Sequence, residues 1–328
     1  MSQDDTVTNM LGLGTAPLGN MFRAVPDDEA QRTLAEAWEL GIRRFDTAPQ
    51  YGAGLSDLRL GEALADKDRS EYLLSTKVGR HVLDETEEKQ GLYRDGRKNK
   101  VILDFSESAA LRSIEQSLQR LRTDRLDHVY VHDISPDYFG DEWITRFDEA
   151  RRGAFRALTR LREEGVISSW GVAVNTTEPI EIAMELTDSD PDMCLSATQY
   201  TLLQHERALQ RMMPTAVEKG VGIVVGSPFN SGALLGGSHF DYAEAPAHIR
   251  QRVAQFSEIA DRYDVSLKAA ALQFSTAHPA VAAVIPGSTR PERIAEDVAA
   301  LQATIPSDFW QELLGAGLIA PNAPLPTV

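Results

Sequence analysis

The feature that most constrains this chain is an alternation. Short apolar runs of strand length, "IRRFD", "YLLSTK", "HVYVH", "SSWGVAV", "LSATQ", "GIVVGS" and "VAAVIPG", are separated by stretches with apolar residues at helical spacing. With the glycine-rich "LGLGTAPLG" as the first, the runs number about eight. In "DDEAQRTLAEAWELG", Ala30, Leu34, Ala37 and Trp38 fall on one helical face, acids open the segment and Gly41 stops it. "SESAALRSIEQSLQRL" repeats the pattern with Ala110, Ile114, Ser117, Leu118 and Leu121, and Ser106 is its expected N-cap. Parallel strands need a crossover long enough to hold a helix, so this alternation predicts a parallel α/β sheet. About eight such units in 328 residues fit one closed (β/α)8 TIM barrel spanning residues 1–328. An open doubly wound sheet is the weaker alternative: "GLGTAPLG" comes near a dinucleotide-binding turn, but "APLGNMF" does not open an amphipathic helix.

Composition narrows the function. Hydrophobic residues make up 42% of the chain, enough for a large core. The formal charge of −16 argues against a nucleic-acid partner, which needs a basic footprint to neutralise phosphates. The lone cysteine, Cys194 in "MCLSATQY", excludes an intrachain disulfide and reads as a small core residue. His81, His128, His205, His239, His248 and His278 show no metal-ligand spacing, so no metal is expected. "MSQDDTVTNM" lacks the basic-then-apolar pattern of a signal peptide, and no segment approaches the roughly 18 apolar residues of a membrane span. The expectation is a cytoplasmic protein with no membrane partner.

Three of the expected strands end in a functional side chain: Asp46 after "IRRF", Lys77 after "LLST" and His132 after "VYV". In an α/β barrel the C-terminal strand ends form the active-site face, where these groups would converge. Tyr51, in the loop after Asp46, would hang over the same mouth. Taken singly, each has a structural explanation as a cap, a solvated amine or a packing ring; together they describe proton transfer by a phenol. An ammonium beside the ring would favour the phenolate and bring its pKa down from about 10. A carboxylate would keep that ammonium charged, and an imidazole could hold the substrate oxygen. Such a site exchanges a proton with a carbonyl or hydroxyl, and its partner step is hydride transfer.

At this point the residues resemble the aldo-keto reductases. "GIRRFDTAPQYG", "LGEAL", "LLSTKVGR" and "VYVHD" look like that family's catalytic segments, in the same order. "GVAVNTTE", "SATQYTLL" and "AAVIPGSTRPERIAED" look like its cofactor segments. The resemblance implies a (β/α)8 barrel that binds an extended nicotinamide dinucleotide. It implies Tyr51 as general acid/base, Lys77 and Asp46 as its tuning pair, and His132 as the substrate-orienting group. For the cofactor it implies Gly14 and Thr15 after the first strand, and Asn175 and Gln199 for the nicotinamide carboxamide. Ser227, Pro228 and Phe229 would follow, then Gly287, Ser288, Thr289, Arg293 and Asp297 around the adenosine end.

Departures from the family pattern carry information. Val174 stands where serine is frequent, and Gly226 where many members stack a tyrosine on the nicotinamide, leaving Phe229 as a replacement. Gly287 replaces a lysine suited to a 2′-phosphate, and Asp297 replaces asparagine. The balance implies NAD, with NADP as the alternative. "TAPLGN", the long segment ending in "VYVHD" and "SPFNSGALLGG" resemble the subgroup of D-threo-aldose (L-fucose or L-galactose) 1-dehydrogenases and pyridoxal 4-dehydrogenases. That implies a small sugar, aldehyde or pyridoxal as substrate. The insert "DISPDYFGDEWITRFDEA" nominates Asp133, Tyr138, Phe139 and Trp143 for the substrate pocket, and "RDGRKNK" reads as a solvated basic loop. The competing functions are an NADP-dependent aldehyde reductase and a non-catalytic, cofactor-binding regulatory subunit.

Overall fold

The computed structural model describes residues 10–326. Its strands in chain order are β1 (Leu13–Gly14), β2 (Arg44–Asp46), β3 (Leu73–Val78), β4 (Arg80–Thr86), β5 (Asn99–Leu103) and β6 (His128–His132). There follow β7 (Ser169–Val174), β8 (Met193–Ala197), β9 (Gly222–Gly226), β10 (His239–Phe240), β11 (Ala243–Glu244) and β12 (Val281–Ile285). Eight of them form one parallel sheet in the order β1-β2-β3-β6-β7-β8-β9-β12. Parallel bridges Leu11↔Val284 and Gly14↔Gly287 join its two edges, so the expected (β/α)8 barrel closes.

The period of two sorts each strand between lumen and helix layer. On β6, Val129 and Val131 join the large core beneath the helices, while Tyr130 belongs to a separate cluster with Ala173, Leu195, Ala197, Val224, Ala283 and Ile285. That second cluster fills the barrel. Several of its members are small, and on β7 a Cβ at Gly171 would collide with the Met193 carbonyl. The helices behave as their spacing predicts. Asp27–Glu39 buries Ala30, Leu34, Ala37 and Trp38, and Glu107–Leu121 is capped by Ser106, whose hydroxyl accepts from the Ala109 N–H at 3.3 Å. Cys194 is fully buried on β8, where burial pushes its thiol up to about 12. No helix among the described residues is long and apolar enough to cross a membrane.

Two hairpins were not anticipated. β4 and β5 pair antiparallel after β3, and β10 and β11 pair after β9. The "RDGRKNK" run is accordingly more than a solvated loop. Its last residues enter β5, and the Arg97 N–H donates to the Gly52 carbonyl at 3.0 Å.

Candidate active site

The lumen register builds the site. β2 pairs with β3 so that Asp46 faces Ser75, and Lys77 lies two residues farther on the same face. All three are buried. Lys77 Nζ donates to Asp46 Oδ1 at 2.5 Å and to the Thr47 carbonyl at 2.9 Å, while Ser75 Oγ donates to Asp46 Oδ2 at 2.6 Å. An ammonium has three protons, so one remains for a third partner. On β6 the same alternation sends His128, Tyr130 and His132 to one side. His128 sits at the strand's start, bound to Ser169, and burial takes its pKa down to about 4. His132, at the other end, reaches the cavity.

Tyr51 is set by a backbone crossing. A Cβ at Gly19 would lie 2.5 Å from the Tyr51 carbonyl carbon, and one on Gly52, itself at φ +65°, would strike the Gly19 carbonyl. Two glycines thus let the loops after β1 and β2 touch, and Tyr51 is carried on that contact. Its ring lies 4.7 Å from Lys77 Nζ, edge-on to His132 at 5.9 Å and stacked on Tyr93 at 5.9 Å.

The electrostatics differ from the expectation in one respect. Burial pushes the Tyr51 phenol well above 10, and Asp46, Tyr93, Tyr242 and Asp133 push it further. These outweigh the lowering expected of Lys77, whose ammonium is paired with Asp46 at 2.5 Å. His132 is held well below its ordinary value by burial, then by Arg80 and Lys77, and is a neutral imidazole.

These groups open into a cavity of about 1060 Å³. Gly14, Asn175, Ser227, Pro228 and Phe229 line it, as do Gly287, Thr289, Arg293 and Asp297. Three nominated cofactor residues do not. Thr15 is turned into the wall, its hydroxyl donating to the Asp46 carbonyl at 2.8 Å; Gln199 bonds Thr198 at 3.1 Å. Ser288 folds its hydroxyl onto the Arg290 backbone, donating to the carbonyl and accepting from the N–H, both at 3.1 Å. The lysine missing at Gly287 has a steric reason: a Cβ there would lie 2.9 Å from Pro17 Cγ. Beyond Gly287 the helix Pro291–Gln302 begins without a side-chain cap, leaving first-turn N–H groups for an anion.

Residues 10–316 match the aldo/keto reductase family. The chain belongs to that family. It is 38% identical to the pyridoxal 4-dehydrogenase of Microbacterium luteolum, over 96% of this chain and 95% of that one. It is 36% identical to the D-threo-aldose 1-dehydrogenase of a Pseudomonas species, over 94% of each. Among solved structures, an aldo-keto reductase from Bacillus halodurans in its holo form superposes with a TM-score of 0.71 at 26% identity, covering 95% of this chain and 92% of that one. Family membership makes this aldo-keto reductase an oxidoreductase acting on CH–OH groups with a nicotinamide cofactor.

On the substrate side the structure departs most from the sequence. Asp133 and Tyr138 line the cavity, but Trp143 does not; it packs edge-on against Phe147 at 6.3 Å. Residues that were not nominated take its place. Tyr93 arrives on the loop between β4 and β5, and Tyr242 at the tip of the β10–β11 hairpin. Both central residues of that tip, Asp241 and Tyr242, have positive φ (+47° and +68°), which an Asn-Gly pair would ordinarily supply. Side-chain bonds hold the strain: Asn230 and Gln204 donate to Asp241 at 3.0 and 2.6 Å, and Ser231 Oγ accepts from the Tyr242 N–H at 2.9 Å. Two cations also went unnoticed. Arg23 donates to Thr289 Oγ1 at 2.7 Å, and Lys268 contacts Asp297 at 3.1 Å and Glu296 at 2.6 Å.

Proposed function

We propose that this aldo-keto reductase is an NAD-linked dehydrogenase oxidising the hemiacetal carbon of an aldose such as L-fucose or L-galactose. The observation that carries the reading is the pairing, in one cavity, of the Tyr51–Lys77–Asp46–His132 set with a rim of Tyr93, Tyr138, Tyr242 and Asp133. Aromatic faces with a carboxylate among them suit a ring bearing hydroxyls. The likeness to a D-threo-aldose 1-dehydrogenase supports the same substrate class.

The residues present fit an extended dinucleotide. Arg23, Lys268, Arg290 and Arg293 face the cavity beside Glu292, Glu296 and Asp297, four cations against three carboxylates, and suit the anionic end. Asn175 and Ser227 line the same cavity and would hold the nicotinamide, whereas the Phe229 ring lies 6.0 Å from Lys268 Nζ, beside the cationic end. When bound, the oxidised nicotinamide supplies a hydride acceptor. Tyr51, as phenolate, takes the proton of the anomeric hydroxyl, and a lactone is the product. His132, being neutral, steers the reacting oxygen without adding a charge. Lys77 stabilises the phenolate through the proton that Asp46 and Thr47 leave unused. Asp297 disfavours a 2′-phosphate, and no lysine stands at Gly287 to attract one, so NAD is the cofactor of choice.

Pyridoxal is the second reading, favoured by the 38% identity to a pyridoxal 4-dehydrogenase and by the same aromatic rim. Following NAD reduction with L-fucose, L-galactose, D-arabinose and pyridoxal decides between them. Turnover of a sugar supports the aldose reading, turnover of pyridoxal alone replaces it, and turnover of none defeats both. Tyr51→Phe should still bind NAD(H) while steady-state oxidation falls by about 10²- to 10⁴-fold. Undiminished oxidation would remove Tyr51 from its role.

A further inference from the structure

Asp133 follows His132 directly, at a place where the chain leaves β6 abruptly. Its φ is +56°, a left-handed conformation uncommon outside glycine, and its N–H donates to the Ala173 carbonyl at 2.9 Å. The turn brings the carboxylate back onto the cavity wall beside the catalytic imidazole. Asp133 Oδ2 lies 3.0 Å from Arg80 Nη2, and Oδ1 lies 3.5 Å from His132 Nε2.

Arg80 gives this carboxylate its fixed place. It begins β4, is only 4% exposed, and lies 4.7 Å from the centre of the Tyr138 ring. Neither of its Nη atoms has a hydrogen bond of good geometry, so its contact with Asp133 is an ion pair bent away from hydrogen-bond alignment. Swinging Asp133 aside would leave a buried guanidinium unpaired, which is costly. Burial raises the Asp133 carboxyl above its ordinary value while Arg80 and Lys77 oppose the shift, and the geometry commits one oxygen to Arg80 and turns the other toward His132. A carboxylate at that distance favours the imidazole tautomer with its proton on Nε2. The cavity thus presents a donor, His132 Nε2–H, next to an acceptor, Asp133 Oδ1.

We propose that Asp133 is a specificity-determining residue that accepts a hydrogen bond from a hydroxyl on the carbon adjacent to the reacting one. The two oxygens of a vicinal hydroxy-carbonyl unit sit about a hydrogen-bond length apart and match the donor–acceptor pair. The reacting oxygen accepts a hydrogen bond from His132 Nε2–H, and the neighbouring hydroxyl donates one to Asp133. A substrate without that hydroxyl excludes water from the carboxylate and offers nothing in return, so it is rejected. This deepens the aldose reading, on which the choice of sugar rests, by naming the group that is read: the hydroxyl at C2. It also separates hydroxy-aldehydes from plain aldehydes.

The test is a ratio of kcat/KM values within one protein, which a general loss of activity leaves unmoved. In the reductive direction glycolaldehyde and acetaldehyde differ by this hydroxyl alone; in the oxidative direction L-fucose and its 2-deoxy analogue do. Wild type should prefer the hydroxylated member by about 10- to 100-fold, the range for a hydrogen bond to a charged group. Asp133→Asn tolerates the left-handed backbone and should reduce that preference about tenfold. The double variant Arg80→Gln/Asp133→Asn removes the charge imbalance, and should show the same reduced ratio should the single variant fold poorly. A wild-type ratio near one, or a ratio unchanged in the variants, overturns the proposal. The aldehyde pair reads Asp133 whether or not a sugar is oxidised, so an intact aldehyde ratio with no sugar turnover defeats the aldose reading alone.

Discussion

The two walls of the cavity are built on opposite principles. The wall of β2, β3 and β6 holds Asp46, Lys77 and His132, all buried, with Asp46 and Lys77 bound to named partners at 2.5–2.9 Å. The wall beyond β12 carries Arg290, Glu292, Arg293 and Glu296 on exposed side chains, with Asp297 alone buried among them. Buried charges on strands cannot rearrange without desolvation penalties, whereas exposed charges on long side chains are screened and adjustable. On the proposed assignment, chemistry is therefore placed where geometry is fixed, and recognition of a flexible anionic cofactor where it can be accommodated. Perturbing the first wall should cost orders of magnitude, and perturbing the second only small factors.

The sharpest way to break that contrast is Lys77→Met. Removing the ammonium strands Asp46, which keeps only the Ser75 hydroxyl, and breaking a buried pair costs about 3–5 kcal/mol. Thermal or urea unfolding should show that loss, while turnover falls by about 10²- to 10⁴-fold. Lys77→Met/Asp46→Asn should recover most of the stability and none of the activity. Recovery of activity with stability would make the pair a scaffold and not a tuning device.

A smaller effect follows from the raised Tyr51 pKa. The phenol is protonated across the neutral range. With Tyr51 in its proposed role oxidation needs the phenolate, so kcat/KM for oxidation should climb with pH, by up to about tenfold per unit, and reach no plateau near pH 7. Reduction needs the phenol and should stay flat over the same range, falling only at high pH. A plateau of oxidation at neutral pH would show that Lys77 outweighs burial in the working complex.

The same contrast explains what could be read from the sequence. Strand ends are visible because a period-two apolar run stopping at Asp46, Lys77 or His132 is a local signal, and the barrel topology then brings them together. Ser106 and the helix faces were legible for the same reason. The rim was not. Tyr242 sits in "FDYAE", a hairpin turn with no Asn-Gly signature, because its positive φ is imposed by Asn230, Gln204 and Ser231 from distant loops. Tyr93 depends on a β4–β5 hairpin whose strand pattern is masked by charged residues, "RHVLDET" and "NKVIL". Trp143 misled in the opposite sense: proximity to His132 in sequence put it at the mouth, but hydrophobic burial drew it onto Phe147. The C-terminal "APNAPLPTV" has neither a helical nor a strand period, so nothing local shows where it packs, and residues 327–328 lie outside the described chain. Yet Leu318, Ile319 and Ala323 are buried, and the Ala320 N–H donates to His205 Nε2 at 3.0 Å.

The second wall yields the smallest prediction. Asp297 is buried on the helix Pro291–Gln302, and burial raises its pKa to about 6 although Lys268 opposes the shift. Above that pH it is an anion facing the cavity end proposed for the adenosine ribose, with Lys268 contacting it at 3.1 Å. Much of its field is therefore cancelled, and solvent at this open end screens the rest. Asp297→Asn keeps the size of the side chain and removes the charge, so the NADP:NAD ratio of kcat/KM should rise by only about five- to tenfold. Lowering the pH of wild type through about 6 should move the ratio the same way, since protonation also removes the charge. A hundredfold rise would mean that this wall is as finely set as the catalytic one. An unmoved ratio would place the 2′-hydroxyl away from Asp297 and return cofactor choice to Gly287 and Arg293.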